Sequence, residues 1–198
     1  WGLYIKGAFG PPVCAADNIK AKLKPVNIYI TVDKSGSMWS RWTKTKKAFT
    51  AFFKDKKSAG LNVALEFWPH SSCGQYSSWC SKVDLCAKPY ISFGKLLPAN
   101  APADKQEQKL INAFNATNPG GMTPAYVALQ GATKWGSDYG KMHKNEQQVV
   151  VFVTDGYPNW CGSNHAAFEK VAKDAYQNHN VKTYGIGIVG ASTSMLNK

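Results

Sequence analysis

The sequence of 198 residues has few acidic residues and almost no arginine. It carries 12 acidic against 24 basic residues, a formal net charge of +12, and Arg41 is the only arginine. The planar fork with which arginines bind phosphate and guanine is therefore nearly absent, which argues against a nucleic-acid partner. We expect most lysines to lie on a solvated surface. The alternative is a surface that attracts polyanions.

Long hydrophobic runs are also missing. No apolar run reaches the roughly 18 residues of a membrane-spanning helix, so we expect no membrane span. The chain opens on Trp1 without a signal-peptide pattern, and we expect a mature or trimmed chain. Apolar residues still make up 44% of the sequence, which is enough for one packed domain and too much for a disordered chain.

Cysteine is sparse but informative. The five cysteines are Cys14, Cys73, Cys80, Cys86 and Cys161. This number in a small chain indicates an oxidising location, extracellular or at the cell surface, and leaves at least one cysteine without a partner in the chain. We expect residues 69–88, which hold three of them, to form a cross-linked surface excursion. A zinc site that includes His70 is the alternative, although no paired Cys-x₂-Cys unit supports it.

Short β-branched runs alternate with amphipathic stretches, the pattern of an α/β sheet with helices on both faces. We predict strands at 26–32, 61–68, 90–93, 148–154 and 181–189, and helices at 39–57, 102–115, 124–141 and 166–176. The apolar run at 148–154 is typical of a parallel strand that is buried on both faces. Gly131 and Gly136 weaken the prediction of a helix at 124–141.

Three polar loops carry the candidate chemistry. They are DKSGS at 33–37, GGMTP at 120–124 and TDG at 154–156. Two of them follow the strongest strands, at the edge where open α/β sheets bind ligands. Their carboxylates and hydroxyls are hard oxygen ligands, which suit Mg²⁺, Mn²⁺ or Ca²⁺ better than zinc or copper.

The loop DKSGS resembles the D-x-S-x-S motif of von Willebrand factor type A domains, also called integrin inserted domains. Thr123 and Asp155 match the threonine and aspartate that complete the metal-ion-dependent adhesion site (MIDAS) of these domains. The likeness spans about 26–189 and is greatest to cysteine-containing secreted bacterial members, through GGMTPAYVALQGA and VTDGYPNWC. It implies a Rossmann-like, mostly parallel sheet with the metal at the carboxyl ends of its strands.

The resemblance also implies roles for individual residues. Ser35 and Ser37 would bind the metal directly, while Asp33, Thr123 and Asp155 would bind it directly or through water. A carboxylate from a protein or polysaccharide would fill the vacant position. We therefore expect an extracellular adhesion domain and not an enzyme, because the loops hold no histidine or other general base and we assign no catalytic residue.

Aromatic side chains next to these loops are candidates for the rim of the binding surface. They are Trp39, Tyr157 and Trp160, and a place in the core is the alternative.

Residues 26–198 form the predicted domain, and residues 1–25 are an N-terminal extension. The family's last helix and strand are missing from the pattern, so we hypothesise that 1–9 add a strand to a sheet edge. The alternative function is a structural subunit of a surface fibre or pilus-like assembly that self-associates through edge strands and an intermolecular disulfide. A third is an intracellular metal-chelatase or ribonucleoprotein subunit.

Overall fold

In the part of the chain that the structure describes, a sheet of five strands organises the fold. The computed structural model describes residues 24–74, 80–98, 104–156, 159–162 and 165–188. The strands are β1 (Val26–Asp33), β2 (Asn62–Trp68), β3 (Ile91–Lys95), β4 (Gln147–Thr154) and β5 (Val181–Gly187). Their order across the sheet is β3-β2-β1-β4-β5. All neighbours are parallel except β3, which runs antiparallel to β2.

Helices cover both faces of this sheet. They are α1 (Trp42–Lys54), α2 (Val83–Ala87), α3 (Lys105–Ala116), α4 (Ala125–Met142) and α5 (His165–His179). Two short 3₁₀ helices cover Gly36–Arg41 and Lys56–Ser58. Successive strand side chains point to opposite faces, so Ile30 packs against α1 and α3 while its neighbour Tyr29 packs against α4 and α5. The predicted fold class is confirmed.

An aromatic cluster fills the core on the α1 and α3 face. Phe49 of α1 stacks on Phe114 of α3 with ring centroids 4.9 Å apart, and Phe67 of β2 meets Phe114 edge to face at 5.0 Å. Each fully buried aromatic side chain of this kind contributes about 1.5–3 kcal/mol to stability. The predicted amphipathic pattern of α1 is explained by this cluster.

The opposite core includes part of the cysteine-rich segment. Cys73 and Cys86 form a disulfide and are both buried against α4. A Cβ atom on Gly131 of α4 would lie 2.5 Å from the carbonyl carbon and oxygen of Cys86. Glycine is therefore required in α4 because the chain around α2 passes directly over it. The segment 69–88, expected at the surface, contributes two buried half-cystines and the short helix α2 to the core.

The last strand has a neighbour on one side only within the described residues. β5 pairs with β4, and its Tyr184 and Ile186 side chains are exposed. Residues 1–9 and Cys14 lie outside the described residues, so the added strand stays a prediction. None of the helices in the described ranges combines the length and apolar composition that crossing a membrane requires.

Candidate metal site

Two buried carboxylates meet at the carboxyl edge of the sheet. Asp33 is the last residue of β1, and Asp155 directly follows β4. Because β1 and β4 are parallel neighbours, their ends lie side by side. The two residues are 0% and 4% exposed. The sequence prediction that these strand ends bring both aspartates together agrees with this geometry.

Asp33 is held by hydrogen bonds to its own loop and to β4. Its Oδ1 accepts from the backbone N–H of Ser35 at 2.7 Å, and its Oδ2 accepts from Oγ1 of Thr154 at 2.7 Å. Burial raises the pKa of Asp33 to about 6, against the lowering effect of these hydrogen bonds. In the part of the chain that the structure describes, Asp33 has no salt bridge, so its negative charge lacks a direct counter-ion.

Hydroxyl groups join the DKSGS loop to Asp155. The Oγ atoms of Ser35 and Ser37 lie 3.1 Å apart, and Ser37 Oγ donates to Oδ1 of Asp155 at 2.7 Å. Ser35 precedes the 3₁₀ helix Gly36–Arg41 and Ser37 lies within it. The tight turn of this helix thus places both hydroxyls at the end of β4. Four of the five predicted ligands form one hydrogen-bonded group.

The fifth predicted ligand, Thr123, reaches the same edge through its loop. The N–H of Gly36 donates to the carbonyl of Gly121 at 3.0 Å, and the N–H of Gly120 donates to the carbonyl of Lys34 at 2.6 Å. Gly121 has a φ of +90°, a conformation that favours glycine. Thr123 is buried, but its side chain makes no hydrogen bond to the other four ligands within the described ranges.

Arg41, for which no role was predicted, is also part of the site. Its Nη1 donates to Oδ2 of Asp155 and to the carbonyl of Ser37, both at 2.9 Å. Arg41 is the last residue of the 3₁₀ helix that contains Ser37. Its nearness in sequence to the DKSGS loop was the available signal. The guanidinium balances the charge of Asp155, which is buried.

Thr154 and Asn159 are two further positioning residues. Thr154 belonged to the third predicted loop but was not a predicted ligand, and its hydroxyl holds Asp33. Asn159 Oδ1 accepts from the backbone N–H of Thr123 at 2.9 Å. The contact between Asn159 and Thr123 forms because the loop after β4 lies close to the loop before α4. No local sequence motif predicts it.

The donor set fits a divalent metal ion. Of the two buried carboxylates, Asp155 contacts the Arg41 guanidinium, and burying an uncompensated carboxylate is costly. A hard divalent cation would supply the missing charge to oxygen ligands, as Mg²⁺ or Mn²⁺ does. The described residues contain no group of three or more His, Cys, Asp and Glu side chains that could hold a metal ion, so the hydroxyls are essential to such a site.

The four cysteines that the structure describes do not form a zinc site. Cys73 is bonded to Cys86 and Cys80 to Cys161, with Cα atoms 4.8 Å and 5.0 Å apart. The zinc alternative is wrong because these sulfur atoms are bonded to each other. The predicted cross-link within the excursion is confirmed, and the second disulfide ties the loop after Asp155 to that segment.

The predicted rim is described for two of its three residues. Trp39 is 70% exposed in the 3₁₀ helix that follows the DKSGS loop. Trp160 is half-buried, and its ring N–H has no hydrogen-bond partner among the described residues. Tyr157 lies outside the described residues. A role in ligand contact stays a prediction for all three.

No protein-family model matches the sequence, and no curated protein matches it. Solved structures do match its fold. The open conformation of the pilus adhesin SpaC from Lactobacillus rhamnosus GG matches with a TM-score of 0.59 at 18% identity, over 83% of this chain and 24% of that chain. Proximal thread matrix protein 1 from the mussel byssus, with a zinc-occupied MIDAS motif, matches with a TM-score of 0.56 at 15% identity, over 87% and 40%.

Manganese-loaded TRAP protein from Plasmodium vivax matches with a TM-score of 0.50 at 18% identity, over 88% of this chain and 61% of that chain. The chain thus spans from about a quarter to three-fifths of the length of these three structures. At such low identity, the matches show a shared fold.

Proposed function

We propose that this chain, which has a von Willebrand factor type A-like fold, is an extracellular adhesion domain that binds a carboxylate through a divalent metal ion. The observation that carries the proposal is the hydrogen-bonded group of Asp33, Ser35, Ser37 and Asp155 at the carboxyl edge of the sheet. The zinc-occupied MIDAS of the mussel protein and the manganese in TRAP support a metal here. The two disulfides and the pilus adhesin match support an extracellular location.

The serines and the aspartates of the site have different roles in metal binding. Ser35 and Ser37 present neutral oxygens, while Asp33 orients the Ser35 backbone and Asp155 holds the Ser37 hydroxyl. Mg²⁺, when bound, supplies an electrophilic centre that accepts a carboxylate oxygen of the partner. Direct contact through hydroxyls neutralises less of the ion's charge than contact through carboxylates, so this arrangement favours capture of an external acidic group.

The lysine excess would act before the specific contact. A net charge of +12 attracts acidic surfaces over about a Debye length and raises the rate of encounter. The net charge does not distinguish a carboxylate from other anions, whereas the metal site would. Attraction by the net charge should therefore weaken in high salt, and binding through the metal should be lost on chelation.

Binding to two kinds of bead tests the proposal. Carboxylate-coated and sulfonate-coated beads of equal charge density are incubated with the chain in Mg²⁺ or in EDTA. We expect Mg²⁺ to increase retention on carboxylate beads at least tenfold and to leave retention on sulfonate beads unchanged. The gain should persist in 0.5 M salt, where electrostatic attraction between exposed charges is mostly screened.

The Ser35→Ala variant should lose this gain, while the control Ser92→Ala, an exposed serine of β3, should keep it. Equal retention on both bead types, or a Mg²⁺ gain that survives Ser35→Ala, contradicts the metal-binding proposal.

A second function, as a subunit of a surface fibre, is favoured by the exposed edge of β5 and the pilus adhesin match. Strands with unpaired edges recruit further strands. Multimers that collapse on reduction in gel electrophoresis would support covalent assembly. A chain that stays monomeric at high concentration with and without reductant argues against it.

A further inference from the structure

A cavity of about 640 Å³ lies beside the metal site and is not used by the proposed function. It opens between the end of β2, the helix α2 and the residues that lead into β3. Lys34, which lies between the predicted metal ligands Asp33 and Ser35, lines the cavity together with Glu66 and His70. Its volume falls in the range of small-ligand sites. A ligand bound in this cavity would therefore lie next to the metal.

The Glu66 side chain and the Nε2 atom of His70 are buried polar groups of the cavity, while the His70 side chain as a whole is 28% exposed. The Glu66 side chain is 7% exposed, and its carboxyl accepts hydrogen bonds from the backbone N–H groups of Phe67 and Tyr90. His70 Nε2 lies 3.3 Å from Glu66 Oε1, without hydrogen-bond geometry, and has no other partner among the described residues. A buried polar atom left unpaired in this way indicates a missing hydrogen-bond partner.

Burial favours the neutral forms of Glu66 and His70 near pH 7. Burial raises the pKa of Glu66 to about 8 and lowers the pKa of His70. A neutral carboxyl and a neutral imidazole each offer both a donor and an acceptor. Hydroxyl groups have the same double capacity and no charge, so they match this pair better than a charged side chain does.

An aromatic ring forms another wall of the cavity. Tyr90 is 63% exposed, and its ring packs on Phe67 with centroids 6.3 Å apart. The face of such a ring is electron-rich and attracts the weakly positive C–H groups of a ligand. A sugar ring has an apolar C–H face and hydroxyl groups around its edge. The C–H face suits contact with the Tyr90 ring, and the hydroxyls suit hydrogen bonds with Glu66 and His70.

We propose that this cavity binds a sugar ring of an acidic polysaccharide, with the ring on Tyr90 and its hydroxyls on Glu66 and His70. The inference rests on the proposed function for its other half, because a carboxylate of the same polysaccharide would occupy the metal site. Lys34 and Lys88 line the cavity with Asp84 and the mostly neutral Glu66, so the lining keeps a net positive charge that favours an acidic chain. The two contacts together select an acidic polysaccharide over a neutral one.

The test compares two exposed tyrosines. Tyr90→Ala removes the ring in the cavity, and the control Tyr184→Ala removes a tyrosine of similar exposure (56%) from β5. Binding of hexagalacturonate is measured calorimetrically in Mg²⁺, and maltohexaose is followed in EDTA by saturation-transfer NMR. We expect Tyr90→Ala to weaken hexagalacturonate binding at least tenfold and to abolish saturation transfer to maltohexaose. Tyr184→Ala should change neither.

The two proposals fail in different ways. If Ser35→Ala and EDTA leave hexagalacturonate binding unchanged while Tyr90→Ala weakens it, the cavity proposal stands and the metal proposal falls. If neither sugar binds at millimolar concentration, or if Tyr90→Ala and Tyr184→Ala act alike, the cavity proposal is wrong. It is also wrong if hexaglutamate binds more tightly than hexagalacturonate and loses affinity in Tyr90→Ala, because the cavity would then recognise a peptide.

Discussion

At the scale of single residues, Arg41 and a bound divalent ion would compete for the carboxylate of Asp155. The guanidinium contacts Asp155 Oδ2, a carboxylate that a divalent cation would also need. Without metal, Arg41 compensates the buried aspartate. With metal, the two cations lie close together and repel each other.

Arg41→Ala should therefore raise the affinity for Mg²⁺ severalfold and lower stability in EDTA. We expect the free energy of unfolding in EDTA to fall by about 1–3 kcal/mol, because Asp155 loses a charged hydrogen-bond partner. Calorimetric titration and urea unfolding measure the two effects. Arg41→Lys, which keeps the charge, is the control, and a lower Mg²⁺ affinity in Arg41→Ala would show that Arg41 supports the metal.

Glu66 gives the stability a pH dependence of known sign. Its pKa is about 8 in the folded chain against 4.5 for an exposed glutamate, so the folded state binds more protons than the unfolded state between these values. This contribution to stability is fully present below pH 4.5 and is lost as pH rises through 8. It changes the free energy of unfolding by at most about 1.4 kcal/mol per pH unit.

Glu66→Gln should remove this dependence. Urea unfolding at pH 5.5 and pH 8 should show a smaller loss of stability at high pH in Glu66→Gln than in the wild type. Glu169→Gln, which changes an exposed glutamate of α5, should behave like the wild type. Parallel losses in all three chains would mean that other groups cause the pH dependence.

The five predicted ligands were chosen because their loops resemble the D-x-S-x-S motif and the threonine and aspartate positions of von Willebrand factor type A domains, and their role as ligands stays a prediction. Arg41 and Asn159 were missed for a physical reason. Their contacts join segments that lie 114 and 36 residues apart in the chain. Such contacts depend on how loops pack and leave no periodic pattern.

At the scale of elements, close packing between α4 and α2 explains why α4 contains Gly131, a residue with low helix propensity. The carbonyl of Cys86 occupies the space that a side chain at Gly131 would need. Helix propensity at this position favours alanine, whereas close packing allows only glycine. The residue present, Gly131, is the one that packing allows.

Gly131→Ala should destabilise the chain even though alanine favours helices. The gain in propensity is about 1 kcal/mol, and overpacking against the backbone costs about 1–3 kcal/mol. We expect a net loss, measured by thermal or urea unfolding. Gly140→Ala in the same helix is the control, because its new Cβ meets only the Gln148 side chain, at 3.1 Å. A Gly131→Ala chain as stable as Gly140→Ala contradicts the packing argument.

Strands and long helices could be predicted because apolar periodicity reports which face is buried. The helix predicted at 39–57 differs at both ends, since it begins as the 3₁₀ helix Gly36–Arg41 and α1 ends at Lys54. The short helix α2 was not predicted. It has five residues, one of them the buried half-cystine Cys86, and a segment this short carries too little periodicity to be predicted as a helix.

At the scale of the whole molecule, the Cys80–Cys161 disulfide joins two distant regions. It links the cysteine-rich segment to the loop that follows Asp155 and contains Asn159, over a separation of 81 residues. Asn159 in turn holds the backbone of Thr123. The Cys80–Cys161 disulfide should therefore affect both the stability of the fold and the position of the Thr123 backbone in the metal site.

Replacing Cys80 and Cys161 by serine should cost stability and metal affinity together. Removing a disulfide that closes a long loop typically costs about 2–4 kcal/mol, and we expect Mg²⁺ affinity to fall severalfold. The double variant Cys73→Ala and Cys86→Ala is the control, with lower stability and unchanged Mg²⁺ affinity when measured under folding conditions. Equal Mg²⁺ affinity in both double variants would show that the tether does not shape the site.

The pairing of β1 with parallel neighbours on both sides has a mechanical consequence. A ligand held at the end of β1, with the opposing pull applied at Lys24 before its start, loads this strand along its length. The backbone hydrogen bonds to β2 and β4 are then strained in shear, so many must break together. In single-molecule pulling, this geometry should resist a higher force than peeling β5 from β4, where bonds break one after another.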